Sequence, residues 1–273
     1  KPDLILVHHD CLTKELMLSD LKLVIDEQND RADLGISRYF IHRDNIKLVL
    51  KQAVFKDRLI YNADTCEGMY QNRFINLYGL PLEQCERPID EEYLEKIVCG
   101  FSLAAHGQNK RLIDRFNINR KRLVMSFIGR IDYSEKSVSY HRHIAMRFGA
   151  RYGTGLFDRV SQEYYDEIMA ATYCSLCPFG SGLTLRPFEA MYSGSLPVMP
   201  SMEFMETWPD IYQKGRYVQC APDFIDVKDI CFQLRNDWKN YQSILKDNRN
   251  HLMQVWNNKL VARRIKDIFE QVA

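Results

Sequence analysis

The sequence lacks an excess of charge of either sign and lacks a long apolar stretch. Among its 273 residues, 37 lysines and arginines are balanced by 36 aspartates and glutamates. Nucleic-acid-binding chains typically carry a basic excess or a concentrated basic stripe, so this balance argues against DNA or RNA as a partner. No apolar run approaches the roughly 20 residues that a membrane-spanning helix needs. The sequence therefore predicts a globular protein that neither binds nucleic acid nor spans a membrane.

Glycosylation sites and paired metal-binding cysteines are also missing. No Asn-x-Ser/Thr tripeptide occurs, and the eight cysteines are scattered singly except for Cys174 and Cys177. Because no second pair completes a zinc site, these two thiols are more typical of a buried strand. The pattern predicts a protein of the reducing cytoplasm. The first residue, a lysine, leads straight into a strand, which leaves open that an N-terminal anchor or signal has been removed.

Short apolar runs alternate with helical patterns, which is typical of parallel sheets covered by helices. Strands are predicted at 4–7, 21–25, 47–50, 58–61, 123–128, 173–177 and 196–199. Helices are predicted at 91–105, 162–171, 187–193, 227–239, 241–255 and 259–272. A polar, basic segment at 108–121 separates the two groups of strands. The rhythm predicts an α/β fold of two Rossmann-like domains, residues 1–120 and 121–273.

Polar residues follow the ends of several predicted strands. Ligands of open parallel sheets bind beyond the carboxyl ends of the strands, because loops and helix N-termini converge there. The residues at those ends are His8, His9, Asp10, Asp26, residues 64–67, Gly129, Arg130, residues 178–186 and residues 200–203. With two sheets facing each other, these loops are expected to line one interdomain cleft.

The loop from 177 to 194 carries the strongest local signal. Gly180 and Gly182 let the backbone approach a ligand closely, and Ser181 and Thr184 add hydroxyl donors. Pro187 and Gly194 suit the first position and the C-terminal cap of a short helix, whose positive end then points back at the loop. Together with Arg186, this arrangement predicts an anion site suited to a diphosphate. As a bare pattern, Gly-Ser-Gly between a strand and a helix is also common in ordinary turns.

Within this region the order of motifs matches a known signature. The matching positions are Tyr164, Tyr165, Met169, residues 173–178, Gly180, Arg186, Glu189 and the Gly-Ser-Leu-Pro-Val run at 194–198. They resemble the donor-binding signature of the GT-B glycosyltransferases, and more narrowly that of the exostosin family. The resemblance covers roughly residues 122–215, and the first half matches only in its strand–helix rhythm. Compact enzymes of this type that large algal viruses encode are similar in length.

The resemblance implies a UDP-linked sugar donor, with UDP-xylose as the first choice, and a glycan as acceptor. Residues 1–120 would bind the acceptor and residues 121–273 the nucleotide sugar, with a helix at 258–273 crossing back to the first domain. If the chain is viral, it would act in the host cytoplasm. The donor-binding residues that the resemblance implies are Gly180, Ser181, Gly182, Leu183 and Thr184 at the diphosphate, Arg186 and Arg130 at the phosphates, Glu189 at the ribose, and Glu203 at the sugar or nucleotide.

Position 181 departs from the pattern of retaining enzymes of this fold, which commonly carry a glutamate eight positions before the ribose-binding one. Serine at this position argues for inversion, which needs a general base in the facing domain to take the acceptor proton. Asp64 and Glu67 follow a predicted strand and are the first candidates for that base. Asp10 and His9, with His8, are the second, although such residues also serve as helix caps or structural groups.

The sequence also lacks any Asp-x-Asp triplet, which argues against a divalent metal bridging the diphosphate. A helix dipole and an arginine would replace the cation, so no cofactor is expected. His141 and His143 would point to different faces of a helix and have no evident third ligand. Two alternatives to a transferase stay open: a catalytically inactive nucleotide-sugar-binding protein and a nucleotide-sugar epimerase.

Overall fold

The first half of the chain forms a parallel sheet of four short strands. A computed structural model of the protein describes residues 4–27, 35–62, 88–100, 110–133, 136–180 and 185–271. In order across this sheet lie β1 (Leu4–His8), β2 (Lys22–Asp26), β3 (Ile46–Lys51) and β5 (Ile97–Cys99). The three central residues of β2, at 23–25, are fully buried, as expected for a strand covered on both faces. Strand β4 (Ala53–Phe55) leaves this sheet immediately after β3.

The second half contains a parallel sheet of five strands. Their order across the sheet is β11 (Val218–Gln219), β9 (Leu196–Met199), β8 (Thr172–Leu176), β6 (Leu123–Ile128) and β7 (Thr154–Leu156). All four residues of β9 are buried. One of them is Pro197, which has no backbone N–H to donate. The chain is therefore a mixed α/β protein with two parallel sheets.

Helices connect and cover the strands. They are α1 (Lys14–Met17), α2 (Lys110–Asp114), α3 (Lys136–Tyr152), α4 (Gln162–Ala171), α5 (Arg186–Ser193), α6 (Val227–Asn236), α7 (Trp238–Leu252) and α8 (Asn258–Glu270). Ser161 caps α4 by accepting the N–H of Tyr164, and Gly194 ends α5 in the left-handed conformation. Within the described part of the chain, no helix combines the length and apolar character needed to cross a membrane.

The two halves share a hydrogen-bonded strand pair and a hydrophobic core. Strand β10 (Met205–Thr207) pairs antiparallel with β4, aligning Met205 with Phe55. Phe55 of the first half and Phe188 of the second are both fully buried in the same hydrophobic cluster. A segment between β9 and β11 of the second sheet thus completes a small sheet with the first half.

Helix α8, at the end of the chain, packs on the first sheet. Ile268 is fully buried in a cluster with Val24, Leu48 and Leu50 of strands β2 and β3. Arg264 donates a hydrogen bond of 2.5 Å to the backbone oxygen of Cys99, at the end of β5. The end of this helix, at Ile268 and Phe269, therefore contacts the first sheet.

Two predictions for the first half are wrong. Residues Arg58–Asn62 form a 3-10 helix instead of a strand, and Asp57 begins it by accepting the N–H of Leu59 at Oδ1 and that of Ile60 at its backbone oxygen. The helix predicted from residue 91 is a 3-10 helix at Glu91–Lys96, and β5 follows it directly. The remaining residues of that prediction, 101–105, lie outside the described part.

Candidate functional site

A cavity of about 580 Å³ lies at the carboxyl end of the second sheet. Its walls come from the segments that follow β6, β7 and β8 and from the first turns of α4 and α5. Loops and helix N-termini converge at this end of a parallel sheet, which is why a ligand site is expected there. Five arginines line the cavity, against two carboxylates: Arg111, Arg130, Arg142, Arg159 and Arg186, with Asp158 and Glu189. The cavity is therefore suited to an anion.

Helix α3 fixes the loop that carries Gly180. The Nδ1 atom of His141 accepts the backbone N–H of Phe179 at 2.9 Å, and the imidazole stacks between the rings of Phe179 and Phe224. Burial lowers the pKa of His141 to about 3, so the ring stays neutral and its Nδ1 lone pair stays available. The loop next to the cavity is thus held by a neutral histidine on an adjacent helix.

Arg142, the next residue of α3, spans the strand end and the loop. Its Nε atom donates to the backbone oxygen of Arg130 at 2.6 Å, and its Nη1 atom donates to that of Phe179 at 3.4 Å. The guanidinium lies 4.9 Å from the ring centroid of Tyr133. Because two backbone carbonyls orient it, Arg142 holds its positive charge in a fixed direction at the cavity wall.

Arg186 begins α5 and lies deep in the cavity, with its side chain only 10% exposed. Its Nη2 atom donates to the backbone oxygen of Ile128, and its guanidinium lies over the rings of Phe127 and Tyr165. A Cβ atom at Gly129 would lie 3.0 Å from Arg186 Nη2, so glycine allows the close approach. The Nη1 atom is buried and has no hydrogen-bond partner among the residues that the structure describes. A buried donor without a partner is costly, so this atom is suited to bind an acceptor.

Glu189 lies one helical turn after Arg186 in the same wall. Its Oε2 atom accepts a hydrogen bond of 2.5 Å from the Tyr165 hydroxyl and lies 3.8 Å from Arg186 Nε. Its Oε1 atom lies 3.8 Å from Arg111 Nη2, and Arg111 also donates to Asp166 at 2.9 Å. Burial raises the pKa of Tyr165 well above its usual value, so the phenol remains a proton donor. The carboxylate is therefore oriented by three neighbours.

The structure brings some of the predicted site residues together and separates others. Arg130, Gly180, Arg186 and Glu189 line the one cavity. Glu203 is exposed and does not line it, because the chain turns after β9 to place β10 against β4. The predicted residues that lie outside the described part are Ser181, Gly182, Leu183, Thr184, Asp64 and Glu67.

Asp10 and His9, the second candidates for a base, occupy a short 3-10 turn directly after β1. Neither lines the arginine cavity as far as the structure describes it. Asp10 is exposed, and His9 Nδ1 lies 3.3 Å from the backbone oxygen of Asp26 at the end of β2. They lie at the carboxyl end of the first sheet, where the sequence predicts them.

Sequence reasoning did not identify several residues of the cavity. Arg111 comes from the basic segment at 108–121 between the two predicted domains, and Arg142 stands between two histidines on a helix. Tyr165 belongs to the signature that was matched, but its role in orienting Glu189 was not inferred. The aromatic residues Phe157 and Tyr133 and the exposed Arg159 complete the rim. Of these additional residues, Tyr165 alone belongs to the motif that the sequence analysis identifies.

Comparisons with known proteins add little to this geometry. No family model matches the chain, and no curated protein matches it. Among solved structures, the N-terminal domain of trehalose-6-phosphate phosphatase from Candida albicans is similar at 12% identity and a TM-score of 0.46, covering 99% of this chain and 72% of that one. An α-glucosyltransferase in complex with UDP-glucose and DNA containing an abasic site is similar at 9% identity and a TM-score of 0.41, covering 92% and 76%. At these scores neither likeness carries an argument about activity.

Proposed function

We propose that this chain is a glycosyltransferase that binds a nucleoside diphosphate sugar in the arginine-lined cavity. The observation that carries the proposal is the buried Nη1 atom of Arg186, which has no partner among the described residues, in a wall shared with Arg130 and Arg142. A diphosphate supplies the acceptor oxygens and the negative charge that such a site favours. The cavity volume of about 580 Å³ lies within the usual range for a bound small molecule.

The residues of the cavity suggest how the donor would lie. The diphosphate would accept hydrogen bonds from Arg186, from Arg130 and from the loop at 180–184. Glu189 retains free lone pairs beside the one that accepts from Tyr165, and two ribose hydroxyls would donate to them. Phe157 is exposed at the rim and offers an apolar face to the nucleobase. Glu203 does not line the described part of the cavity, so the proposed donor contacts do not include it.

The proposed reaction is an inverting transfer from UDP-xylose to a hydroxyl of a glycan. The acceptor oxygen attacks the anomeric carbon as the bond to the β-phosphate oxygen breaks, and a base of the first half takes the acceptor proton. Asp64 or Glu67 is proposed as that base, with Asp10 or His9 as the second choice. The arginines stabilise the leaving diphosphate in place of a metal ion.

In this proposal the chain is a GT-B enzyme whose two Rossmann-like domains each bind one substrate. Residues 1–120 would hold the acceptor, and residues 121–273 would hold the donor. The contact of Ile268 with the first sheet supports a final helix that crosses back to the acceptor side. The core shared by the two halves limits any opening between them to segments outside that core.

A donor screen tests the proposal directly. The purified chain is incubated with UDP- and GDP-sugars, and release of the nucleotide is measured with and without oligosaccharide acceptors. We expect release of UDP, loss of this release in Arg186→Met, and no loss in Arg147→Met, which removes an exposed arginine of α3. Release of GDP alone would contradict the nucleotide assignment. UDP binding without turnover on any acceptor would favour the inactive binding protein.

A further inference from the structure

Three consecutive side chains converge where β1 ends. His9 Nε2 lies 3.2 Å from Asp10 Oδ1, and His8 Nδ1 lies 3.6 Å from Asp10 Oδ2. The two imidazole centroids are 4.4 Å apart, and the donor atoms of all three side chains lie within 4.8 Å of one another. In the described part of the chain, no other group of three or more histidine, cysteine or acidic side chains comes this close.

These separations match those between ligands of one zinc ion. Ligand atoms 2.0–2.1 Å from a tetrahedral Zn²⁺ lie about 3.3 Å from one another. The two measured separations, 3.2 and 3.6 Å, fall on either side of that value. His8 Nδ1 also accepts a long hydrogen bond of 3.4 Å from the Asp10 N–H, and a cation would replace this bond. All three ligand atoms lie within 4.8 Å of one another, so each pair needs to close by no more than about 1.5 Å to reach this spacing.

The environment of His9 provides a second, independent observation. Its Nδ1 atom lies 3.3 Å from the backbone oxygen of Asp26, which can only accept a hydrogen bond. With an ion bound between His9 and Asp10, the proton of the neutral ring lies on Nδ1 and the lone pair of Nε2 faces the ion. Zinc-binding histidines commonly donate their other ring N–H to a backbone carbonyl in this way. The strand pairing of β1 with β2, which aligns His8 with Asp26, fixes this contact.

We propose that His8, His9 and Asp10 form a binding site for a divalent transition-metal ion of the zinc type. Two imidazoles and one carboxylate suit Zn²⁺ better than Mg²⁺ or Ca²⁺, which prefer oxygen ligands. The side chains of His8 and Asp10 are 51% and 75% exposed, so the ion enters from solvent and its remaining positions bind water. None of the three residues lines the described part of the arginine cavity.

This site is independent of the proposed transfer reaction, which uses no metal at the diphosphate. If His9 and Asp10 bind an ion, their lone pairs are occupied, and the role of base passes to Asp64 or Glu67. The metal site therefore stands or falls on metal binding alone. Zinc binding without sugar transfer would support the metal site and contradict the proposed function. Sugar transfer without zinc binding would contradict the metal site and support the proposed function.

The chain offers a matched control for this site. His143 Nε2 lies 3.0 Å from Asp132 Oδ1, in a solvent-exposed pair without a third ligand in the described region. This pair has a similar spacing but lacks the third ligand, so its variant distinguishes the proposed site from ordinary binding of metal at the surface. Cys11, an exposed thiol beside Asp10, is replaced by serine throughout so that it does not bind the metal.

The experiment titrates the metal-free Cys11→Ser protein with Zn²⁺ and records the zinc X-ray absorption of the complex. We expect one ion per chain with nitrogen and oxygen neighbours at about 2.0–2.1 Å and no sulfur at about 2.3 Å. His9→Gln, His8→Gln and Asp10→Asn should each weaken binding at least about tenfold, and His143→Gln should not. A sulfur shell, or equal affinities of His9→Gln and His143→Gln, would overturn the proposal. Circular dichroism checks that each variant is folded.

Discussion

The hydroxyl of Tyr165 donates a 2.5 Å hydrogen bond to the carboxylate of Glu189, and this contact joins α4 to α5 across the wall of the cavity. The carboxylate is further held by two arginines, each 3.8 Å away. Because its neighbours restrict its rotation, Glu189 presents its free lone pairs in a fixed direction. Such preorganisation lowers the entropy lost when a ligand binds.

Replacement of Glu189 by alanine is expected to weaken nucleotide binding by about 1–3 kcal/mol, the scale for loss of charged hydrogen bonds. Tyr165→Phe keeps the carboxylate and removes only one donor, so its effect should be smaller. Isothermal titration with UDP measures both variants, and Glu167→Ala, at an exposed position of α4, serves as the control. Unchanged affinity of Glu189→Ala would show that the ribose lies elsewhere.

Arg186→Lys keeps a positive charge but removes the forked donor group. One Nη atom of Arg186 is used by the carbonyl of Ile128, and the other is buried and without a partner in the described residues. Lysine cannot satisfy both directions, so we expect UDP affinity to fall by about 1.5–3 kcal/mol. Arg147→Lys is the matched exchange at an exposed position. If inorganic diphosphate and UDP bind both variants equally well, the anion does not contact Arg186.

The second sheet follows from the sequence more directly than the first. Strand β9 and helix α4 have the predicted bounds, because an apolar run and an amphipathic repeat are local signals. The 3-10 helix at Arg58–Asn62 is different: its apolar residues predict a strand, and the Arg58 side chain anchors the helix by donating to Phe55 and Ile97. One of these partners is 39 residues away, so no window around residue 58 contains that contact.

The same limit applies to the candidate site. Gly180 and Arg186 stand in one loop and could be assigned to a single anion site from their spacing. Arg142 reaches that site from a preceding helix through the carbonyls of Arg130 and Phe179, which only the folded chain brings together. Glu203 follows its strand as predicted, yet the pairing of β10 with β4 carries this segment toward the first half. Contacts between distant parts of the chain therefore explain why Arg142 lines the site and why Glu203 does not.

Asp64→Asn is expected to abolish sugar transfer and retain donor binding. The substitution replaces the basic carboxylate by a neutral amide of nearly the same size. UDP affinity should therefore not change while turnover falls. Single-turnover assays with a saturating UDP-sugar, combined with titration of UDP, separate the two effects. An active Asp64→Asn protein would transfer the role to Glu67, and Glu67→Gln is measured in parallel.

Lys51→Met is expected to destabilise the protein by about 3–5 kcal/mol, because it leaves a buried charge without its partner. Lys51 Nζ lies 3.8 Å from Glu27 Oε1, and both side chains are fully buried. Urea denaturation measures the loss. Lys266→Met removes a lysine from a pair with Glu270 whose side chains are 70% and 60% exposed, and it should change stability little. Equal effects of the two substitutions would show that the Glu27 charge is satisfied by the N–H groups of Gly35 and Ser37.

The neutral state of His141 makes stability depend on pH in a defined window. Its folded pKa is lowered to about 3 by burial, from 6.5 when unfolded, so between these values only the unfolded chain takes up the proton. Stability therefore falls as pH decreases from 6.5 toward 3, by up to about 1.4 kcal/mol per pH unit from this group. In His141→Gln the free energy of unfolding, measured by urea denaturation across this window, should depend less steeply on pH. His143→Gln, at an exposed ring, should keep the steeper dependence of the parent protein. If the free energy of unfolding varies with pH equally in the parent and in His141→Gln, the buried ring takes up its proton in the folded state. Protonation would then remove the Nδ1 lone pair that accepts the N–H of Phe179 and would loosen the loop beside the cavity.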